Sequence, residues 1–205
     1  MGGKMSRDKG ARAERAVIGF LQPIVDTVYR KHGLVPPKML RNSLQSAVGG
    51  ADTIVQDRGL SWIAVEVKHH ETFKFGPWWA QTVKQAGSSK MPVLLYKKNN
   101  VQFRCRRFAH EAINGQMCTT VVDTSLDAFL DWFRMMLDWR LQNLLAEAAE
   151  KRRQRNIRRR LDAVCDGCPN VAAGCKGDCE AYTAEQDAID EEIREGKKKA
   201  LPKMP

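Results

Sequence analysis

Glu66 and Lys68 lie two positions apart at the end of the apolar segment 61–71 (SWIAVEVKHHE). Successive side chains of a β-strand point to opposite faces of the sheet, so these two charges share one face with Trp62 and Ala64. Such a face can be buried only where its charges are paired. The spacing therefore predicts a pair of charges with a chemical task at the end of a strand.

A second carboxylate, Asp52, lies at the start of the preceding segment, separated from two glycines by Ala51 alone. If the strands on either side of the short turn at Arg58 form a hairpin, Asp52 comes close to Glu66 and Lys68. Two carboxylates brought together repel each other, and a divalent cation removes that repulsion. The pattern therefore indicates a cation site built on two neighbouring strands.

A third carboxylate, Glu14, lies on the apolar stripe of a helix predicted over residues 7–32. It shares that stripe with Val17 and Leu21, where a carboxylate is unusual unless it has a partner. Pro23 lies inside the same segment and predicts a kink or a break there.

The remaining pattern up to residue 123 predicts an α/β domain that positions these side chains. The predicted order is α–β–β–β–α–β–β, from alternating apolar runs and turn residues. After the first helix come strands at 43–48, 51–57 and 60–68, a helix at 77–90 and strands at 91–98 and 101–108; a further strand at 118–123 follows this core order.

Three motifs in this order, KGARAER at 9–15, GGAD at 49–52 and EVK at 66–68, resemble those of the PD-(D/E)XK nuclease superfamily. Within it, the sequence is most similar to the archaeal and phage Holliday-junction resolvases. The resemblance covers about residues 5–105 and implies a restriction-endonuclease-like α-β-β-β-α-β core with a mixed sheet. Gly50 and Ala51 stand where the superfamily's name places a proline.

The resemblance implies roles for the three carboxylates and for Lys68. Asp52, Glu66 and the carbonyl of Val67 would hold Mg²⁺ or Mn²⁺, and Glu14 would complete the shell directly or through water. Lys68 would orient the attacking water or stabilise charge that develops on the phosphate.

Several neighbours of this site remain open to two interpretations. Gln81 would support the water or the DNA backbone, or it is an ordinary polar helix residue. Trp78 and Trp79 could stack on splayed bases, although at least one of them is expected in the core. His69 and His70 could bind a transition metal, but a position near the DNA backbone or in solvent is favoured.

From Ser125 the sequence is helical almost throughout. We predict a nuclease domain at 1–123, a long basic helical extension at 124–163, a cysteine-bearing segment with an acidic helix at 164–196, and a disordered tail at 197–205. Forty helical residues span about 60 Å, so this helix is expected to break or to project. Its apolar stripe would face either the core or a dimer partner.

A cysteine cluster follows with the spacing C-x2-C-x6-C-x3-C. Its members are Cys165, Cys168, Cys175 and Cys179. Thiolates at these spacings can surround a tetrahedral Zn²⁺. A [4Fe–4S] cluster, which some nucleases of the superfamily hold through C-terminal cysteines, is the alternative, and four reduced, unliganded thiols are the third possibility.

The chain carries a net charge of +10, and residues 151–160 (KRRQRNIRRR) contain seven basic residues and no acid. This distribution favours a polyanionic partner, most simply nucleic acid. The basic helix would contact backbone phosphates, but a solvated or RNA-binding arm is also compatible with it. The predicted DNA-binding residues are Lys9, Arg12, Lys84, Lys151, Arg152, Arg155, Arg158 and Arg159.

Together these features predict a Mg²⁺-dependent endodeoxyribonuclease that acts on branched DNA as a homodimer, because resolution of a junction requires two symmetric nicks. With no apolar run long enough for a transmembrane helix and no secretory signal, we expect it in the cytoplasm of a bacterial or phage-infected cell. The alternatives are a restriction, repair or flap nuclease of the same fold, or a non-catalytic zinc-containing nucleic-acid-binding protein.

Overall fold

The computed structural model describes residues 2–42, 51–54, 57–113, 116–166 and 179–200. The helices in these ranges are α1 (Gly2–Lys31), α2 (Phe75–Ala86), α3 (Leu126–Cys165) and α4 (Glu180–Ala200). The strands are β1 (Leu40–Arg41), β2 (Thr53–Ile54), β3 (Ile63–His69), β4 (Met91–Lys97), β5 (Arg104–Ile113) and β6 (Gln116–Ser125).

The central sheet has the strand order β3-β4-β5-β6. Strands β3 and β4 are parallel and are connected through α2, whereas β4–β5 and β5–β6 are antiparallel. A parallel pair needs a crossover, and the helix predicted between these strands supplies it. The predicted mixed sheet and the α/β class are therefore confirmed.

The first two strands differ from the prediction. Within the described ranges, β2 pairs with β1 and not with β3. In place of the predicted hairpin over 51–68, the described residues show two contacts of Asp52 with β3: the Asp52 N–H donates to the Val65 carbonyl at 3.0 Å, and Asp52 Oδ2 accepts from the Val67 N–H at 2.6 Å. The strand predicted at 43–48 lies outside the described residues.

The two faces of the sheet are covered by different helices. Side chains of α1 and α3, including Val25 and Phe133, bury the face that carries Val65 and Leu95. On the other face, Trp78 of α2 packs with Leu94 and Tyr96 of β4. Consecutive strand residues therefore enter different environments, as the alternation predicts.

Helix α1 runs through Pro23 without a break, so the predicted break is wrong. The N–H that proline lacks would have bonded to the carbonyl of Gly19, an exposed position that water can reach. Burial of Leu21, Ile24 and Val25 on either side holds the helix against the core.

Helix α3 is also continuous, for 40 residues, so of the two expected outcomes the break is wrong. Ser125 caps it, because the Ala128 N–H donates to the Ser125 Oγ at 3.2 Å. Its apolar stripe, including Phe129 and Leu141, is buried in the core. The core unit therefore extends to Leu144, beyond the predicted limit at residue 123.

Among the described helices, none combines the length and the hydropathy that a membrane span requires.

The second compact unit begins at Leu145 and contains the basic part of α3 together with α4. The Arg160 guanidinium contacts the carboxylates of Glu185 at 2.7 Å and Glu192 at 2.9 Å. Ile189 of α4 is buried. Helix α4 continues to Ala200, into the segment predicted as a disordered tail from residue 197, and residues 201–205 lie outside the described ranges.

Substitution of Gly59 by Ala is expected to destabilise the core unit by about 1–3 kcal/mol, the usual cost of overpacking. An added Cβ would lie 2.6 Å from Leu141 Cδ2 and would also overlap the Tyr29 hydroxyl. That hydroxyl cannot move freely, because it donates a hydrogen bond to the Asp57 carboxylate. Urea unfolding of Gly59→Ala measures the effect.

Gly19→Ala is the matched control for this substitution. A Cβ at Gly19 meets nothing within 4 Å, and alanine is favoured over glycine in a helix interior by about 0.5–1 kcal/mol. The same chemical change should therefore stabilise the protein at position 19. A Gly59→Ala protein as stable as wild type would contradict the packing described for Tyr29 and Leu141.

Candidate active site

The end of β3 places a buried carboxylate beside an ammonium group. Glu66 has 1% of its surface exposed, and its Oε1 accepts hydrogen bonds from Lys68 Nζ at 2.6 Å and Gln81 Nε2 at 3.1 Å. Glu66 and Lys68 lie level with Leu94 and Tyr96 of β4, on the sheet face that α2 covers. This explains why Gln81, from α2, reaches the same oxygen.

Asp52 reaches this site from the chain before β3. It is 3% exposed, and its Oδ2 accepts a hydrogen bond from the Val67 N–H at 2.6 Å. Its own N–H donates to the Val65 carbonyl, and its carbonyl accepts from the Asn42 N–H at 2.8 Å. Because main-chain bonds hold Asp52 on both sides, its carboxylate has a defined position next to Glu66.

The electrostatics of Asp52 reflect this proximity. Burial, and then the charge of Glu66, raise the pKa of Asp52 to about 7, although the hydrogen bond from the Val67 N–H opposes the shift. The negative charge of Glu66 thus makes Asp52 more costly to ionise. A proton or a cation bound at Asp52 would relieve this repulsion.

Glu14 lies near this pair but is engaged elsewhere. Its carboxylate forms an ion pair with Arg41 of β1, and its charge still contributes to the raised pKa of Asp52. Arg41 is the partner that a carboxylate on an apolar stripe requires, and sequence reasoning did not identify it. No local pattern indicates this contact, because the two residues are far apart in the chain and meet only after folding.

The donor set fits a hard divalent cation. Asp52 and Glu66 are buried carboxylates that repel each other, and Mg²⁺ prefers carboxylate and carbonyl oxygens. In the described part of the chain, no three His, Cys, Asp or Glu side chains come together as a metal-ligand group. The two carboxylates and the Val67 carbonyl would supply three protein ligands. An octahedral Mg²⁺ ion would then keep its remaining coordination positions for water and substrate.

The histidines that follow the strand have separate environments. His69 is half-buried, and burial together with the charges of Lys9 and Lys97 lowers its pKa. The His70 ring lies 5.8 Å from the ring of Trp78, centroid to centroid. Trp78 is the buried member of the tryptophan pair, and Trp79 packs against Phe108 with centroids 5.1 Å apart.

The clustered cysteines and the predicted DNA-binding residues of α2 and α3 lie apart from this pair of carboxylates in the chain. Cys165 ends α3 and Cys179 directly precedes α4, whereas Cys168 and Cys175 lie outside the described residues. Lys84 is exposed near the end of α2. The predicted basic residues of α3 are all exposed: Lys151, Arg152, Arg155, Arg158 and Arg159.

Comparison with known proteins agrees with this geometry. A family model described as "Phage putative PDDEXK endonuclease" matches residues 5–125, which include Glu14, Asp52, Glu66 and Lys68. The chain belongs to this family. This match confirms the predicted superfamily. Members of the PDDEXK superfamily are nucleases that generally use Mg²⁺ or Mn²⁺. The match ends at the start of α3 and does not include the second compact unit. No curated protein and no solved structure matches the chain.

Proposed function

We propose that this PDDEXK family member is a Mg²⁺- or Mn²⁺-dependent endonuclease that hydrolyses DNA phosphodiester bonds at the Asp52–Glu66–Lys68 site. The observation that carries the proposal is the buried pair Asp52 and Glu66, with the Lys68 ammonium 2.6 Å from Glu66 Oε1. Burying like charges side by side costs free energy, and binding of a cation offsets that cost.

Each side chain has a separate task in this proposal. Asp52 and Glu66, with the Val67 carbonyl, bind the cation, and Glu14 joins them through water or after release from Arg41. A bound divalent cation lowers the pKa of a water molecule and neutralises phosphate charge. Lys68 orients the water or stabilises charge on the phosphate, and Gln81 holds the Glu66 carboxylate in position through its amide.

The proposed substrate is branched DNA, and the proposed assembly is a homodimer. The KGARAER motif in α1 supports a junction-resolving activity, and two symmetric nicks need two active sites. Exposed Met135 and Trp139, one turn apart on α3 and 61% and 55% exposed, offer apolar surface for such a dimer. In this proposal the enzyme acts in the cytoplasm of the phage-infected cell.

The test compares cleavage of matched four-way, flap, single-stranded and linear duplex DNA in Mg²⁺ by wild type and Glu66→Gln. We expect wild type to cut the four-way junction fastest and Glu66→Gln to cut nothing. Faster cutting of a flap or a linear duplex would replace the junction assignment with a repair, flap or restriction activity. Equal cutting by Glu66→Gln would refute the active site.

Light scattering coupled to gel filtration tests the proposed homodimer.

The second compact unit is proposed to bind nucleic acid phosphates through its exposed arginines. The four clustered cysteines are proposed to hold Zn²⁺, with [4Fe–4S] as the alternative: Cys165, Cys168, Cys175 and Cys179. Elemental analysis and an absorption spectrum of purified protein distinguish zinc, an iron–sulfur cluster and free thiols. A chain that binds DNA with metal-loaded cysteines but cuts no substrate would support the alternative of a non-catalytic binding protein.

A further inference from the structure

A basic cleft lies beside the candidate active site, on the opposite side of the sheet. His69 follows Lys68 directly, so its side chain points to the face that α1 covers. It pairs in register with Lys97 of β4, and the His70 N–H donates to the Lys97 carbonyl at 3.1 Å. A cavity of about 380 Å³ opens here, lined among others by Lys9, Arg12, His69, Lys97, Asn99 and Asn100.

The charges around this cleft are only partly neutralised. Lys9 Nζ contacts Glu71 Oε1 at 2.8 Å, and that glutamate is 58% exposed. The Lys97 ammonium lies 5.2 Å from the centroid of the Phe103 ring and meets no carboxylate among the described residues. Arg12 has no ion-pair or hydrogen-bond partner in the described ranges and is exposed. Arg12 and Lys97 therefore face the cleft without a counter-ion from the described part of the chain.

Neutral hydrogen-bond donors complete the lining. The turn between β4 and β5 contributes Asn99 and Asn100, and Asn100 adopts a left-handed backbone with φ of 57°. Amide groups of this kind bond to phosphate oxygens without adding charge. His69 Nε2 is buried and has no hydrogen-bond partner among the described residues. Cations interspersed with neutral donors are the composition of an anion site.

We propose that this cleft binds one internal backbone phosphate of the DNA strand next to the scissile phosphate, with Arg12 and Lys97 as the principal cations. This inference rests on the proposed function, because the bound phosphate is located relative to the scissile phosphate that is proposed to lie beside Lys68. One water molecule takes up about 30 Å³ in liquid water. The cavity of about 380 Å³ is much larger and has room for a segment of sugar–phosphate backbone. The cleft fixes the register of the strand across the end of β3.

The test measures the affinity for a fluorescent duplex in EDTA as a function of salt concentration, for wild type, Arg12→Gln, Lys97→Gln and the double variant. Loss of one phosphate contact lowers the slope of log affinity against log salt by about 0.9. We expect that change, with several-fold weaker binding, in each single variant, and a larger change in the double variant. Thermal unfolding confirms that each variant is folded.

Lys90→Gln is the matched control, because Lys90 is an exposed lysine just before the opposite end of β4. It removes the same charge about 23 Å along the strand, at roughly 3.3 Å per residue. The Lys90 variant should retain the wild-type slope. Slopes in Arg12→Gln and Lys97→Gln that equal those of wild type or of Lys90→Gln would overturn the inference, as would a wild type whose binding does not depend on salt.

A second arm distinguishes an internal phosphate from a strand end. Duplexes with 5′-phosphate and with 5′-hydroxyl ends should show the same loss in Arg12→Gln, whereas a loss confined to the 5′-phosphate duplex would overturn the internal assignment. Binding in EDTA is independent of cleavage. If Glu66→Gln cut DNA like wild type while Arg12→Gln lowered the slope, the proposed active site would fail and the phosphate cleft would stand.

Discussion

Replacement of Asp52 by Asn is expected to abolish cleavage and to stabilise the metal-free protein above pH 7. The variant loses one of the two carboxylates that bind the cation, and a loss of about 4 kcal/mol of transition-state stabilisation corresponds to about a thousandfold in rate. The geometry should survive, because the asparagine amide oxygen can still accept the hydrogen bond from the Val67 N–H.

The stability gain follows from the pKa of Asp52, which is raised from 3.8 to about 7 by burial and by Glu66. The folded protein then holds a proton that the unfolded chain releases at lower pH. The free energy of unfolding of wild type therefore falls as the pH rises from about 4 to about 7 and stays low above that range. The asparagine side chain of Asp52→Asn cannot ionise, so the variant lacks this loss.

Unfolding temperatures in EDTA across pH 4–9 test this prediction. Each pKa unit corresponds to about 1.4 kcal/mol, so a gain of about 2–4 kcal/mol at pH 8 is expected. Added Mg²⁺ should raise the unfolding temperature of wild type, because it binds only the folded state, and should leave the variant unchanged. Asp8→Asn, at an exposed position of α1, should do neither.

Two outcomes would contradict the pairing of Asp52 with Glu66. The first is an Asp52→Asn protein that is less stable than wild type at pH 8 in EDTA. The second is a variant that cuts DNA at a comparable rate in Mg²⁺.

The contact between Glu66 and Lys68 and the start of α3 could be predicted from the sequence, because both depend on local patterns. Glu66 and Lys68 share a face because strand side chains alternate, and the structure joins them at 2.6 Å. The helix predicted from Ser125 begins at Leu126, with Ser125 as its cap. In each case the periodicity of one element determines the contact, and that periodicity is visible in the sequence.

The contacts that sequence reasoning missed depend on elements distant in the chain. Lys97 faces His69 only because β3 and β4 pair in parallel in one particular register. The Glu14–Arg41 ion pair joins α1 to a two-residue strand. Such pairings are decided by packing of the whole core, so a single sequence without that packing does not reveal them.

Propensity rules failed at Pro23 for a related reason. A proline inside a helix removes one hydrogen bond, and a local rule predicts a break. Leu21, Ile24 and Val25 are nonetheless buried beside it, and each such side chain contributes about 1.5–3 kcal/mol on burial. Tertiary packing therefore outweighs the local cost. Helix α3, by contrast, contains no glycine or proline over its 40 residues, so nothing local interrupts it.

Replacement of Lys68 by Met is expected to reduce cleavage by about two to four orders of magnitude while DNA binding in EDTA stays nearly unchanged. The ammonium is 22% exposed and contacts a carboxylate that is 1% exposed. Its position suits stabilisation of charge that develops on the phosphate, which is a transition-state interaction. Single-turnover cleavage and duplex binding, measured on the same preparation, separate the two effects.

The same change should also destabilise the protein, because Glu66 loses its cation. Gln81 still donates to Glu66 Oε1 at 3.1 Å, but a neutral amide does not balance the charge of a buried carboxylate. Removal of one partner from a buried ion pair costs about 3–5 kcal/mol, and the partial exposure of Lys68 reduces this to about 1–3 kcal/mol by solvent screening.

The double variant Lys68→Met/Glu66→Gln distinguishes catalysis from stability. Without the buried charge, the free energy of unfolding should return toward that of wild type, because neither side chain is then an unpaired ion. Cleavage should remain absent, since both the cation ligand and the ammonium are missing. A double variant as unstable as Lys68→Met would show that Lys68 contributes packing rather than charge. A Lys68→Met protein with wild-type cleavage would exclude Lys68 from the chemistry.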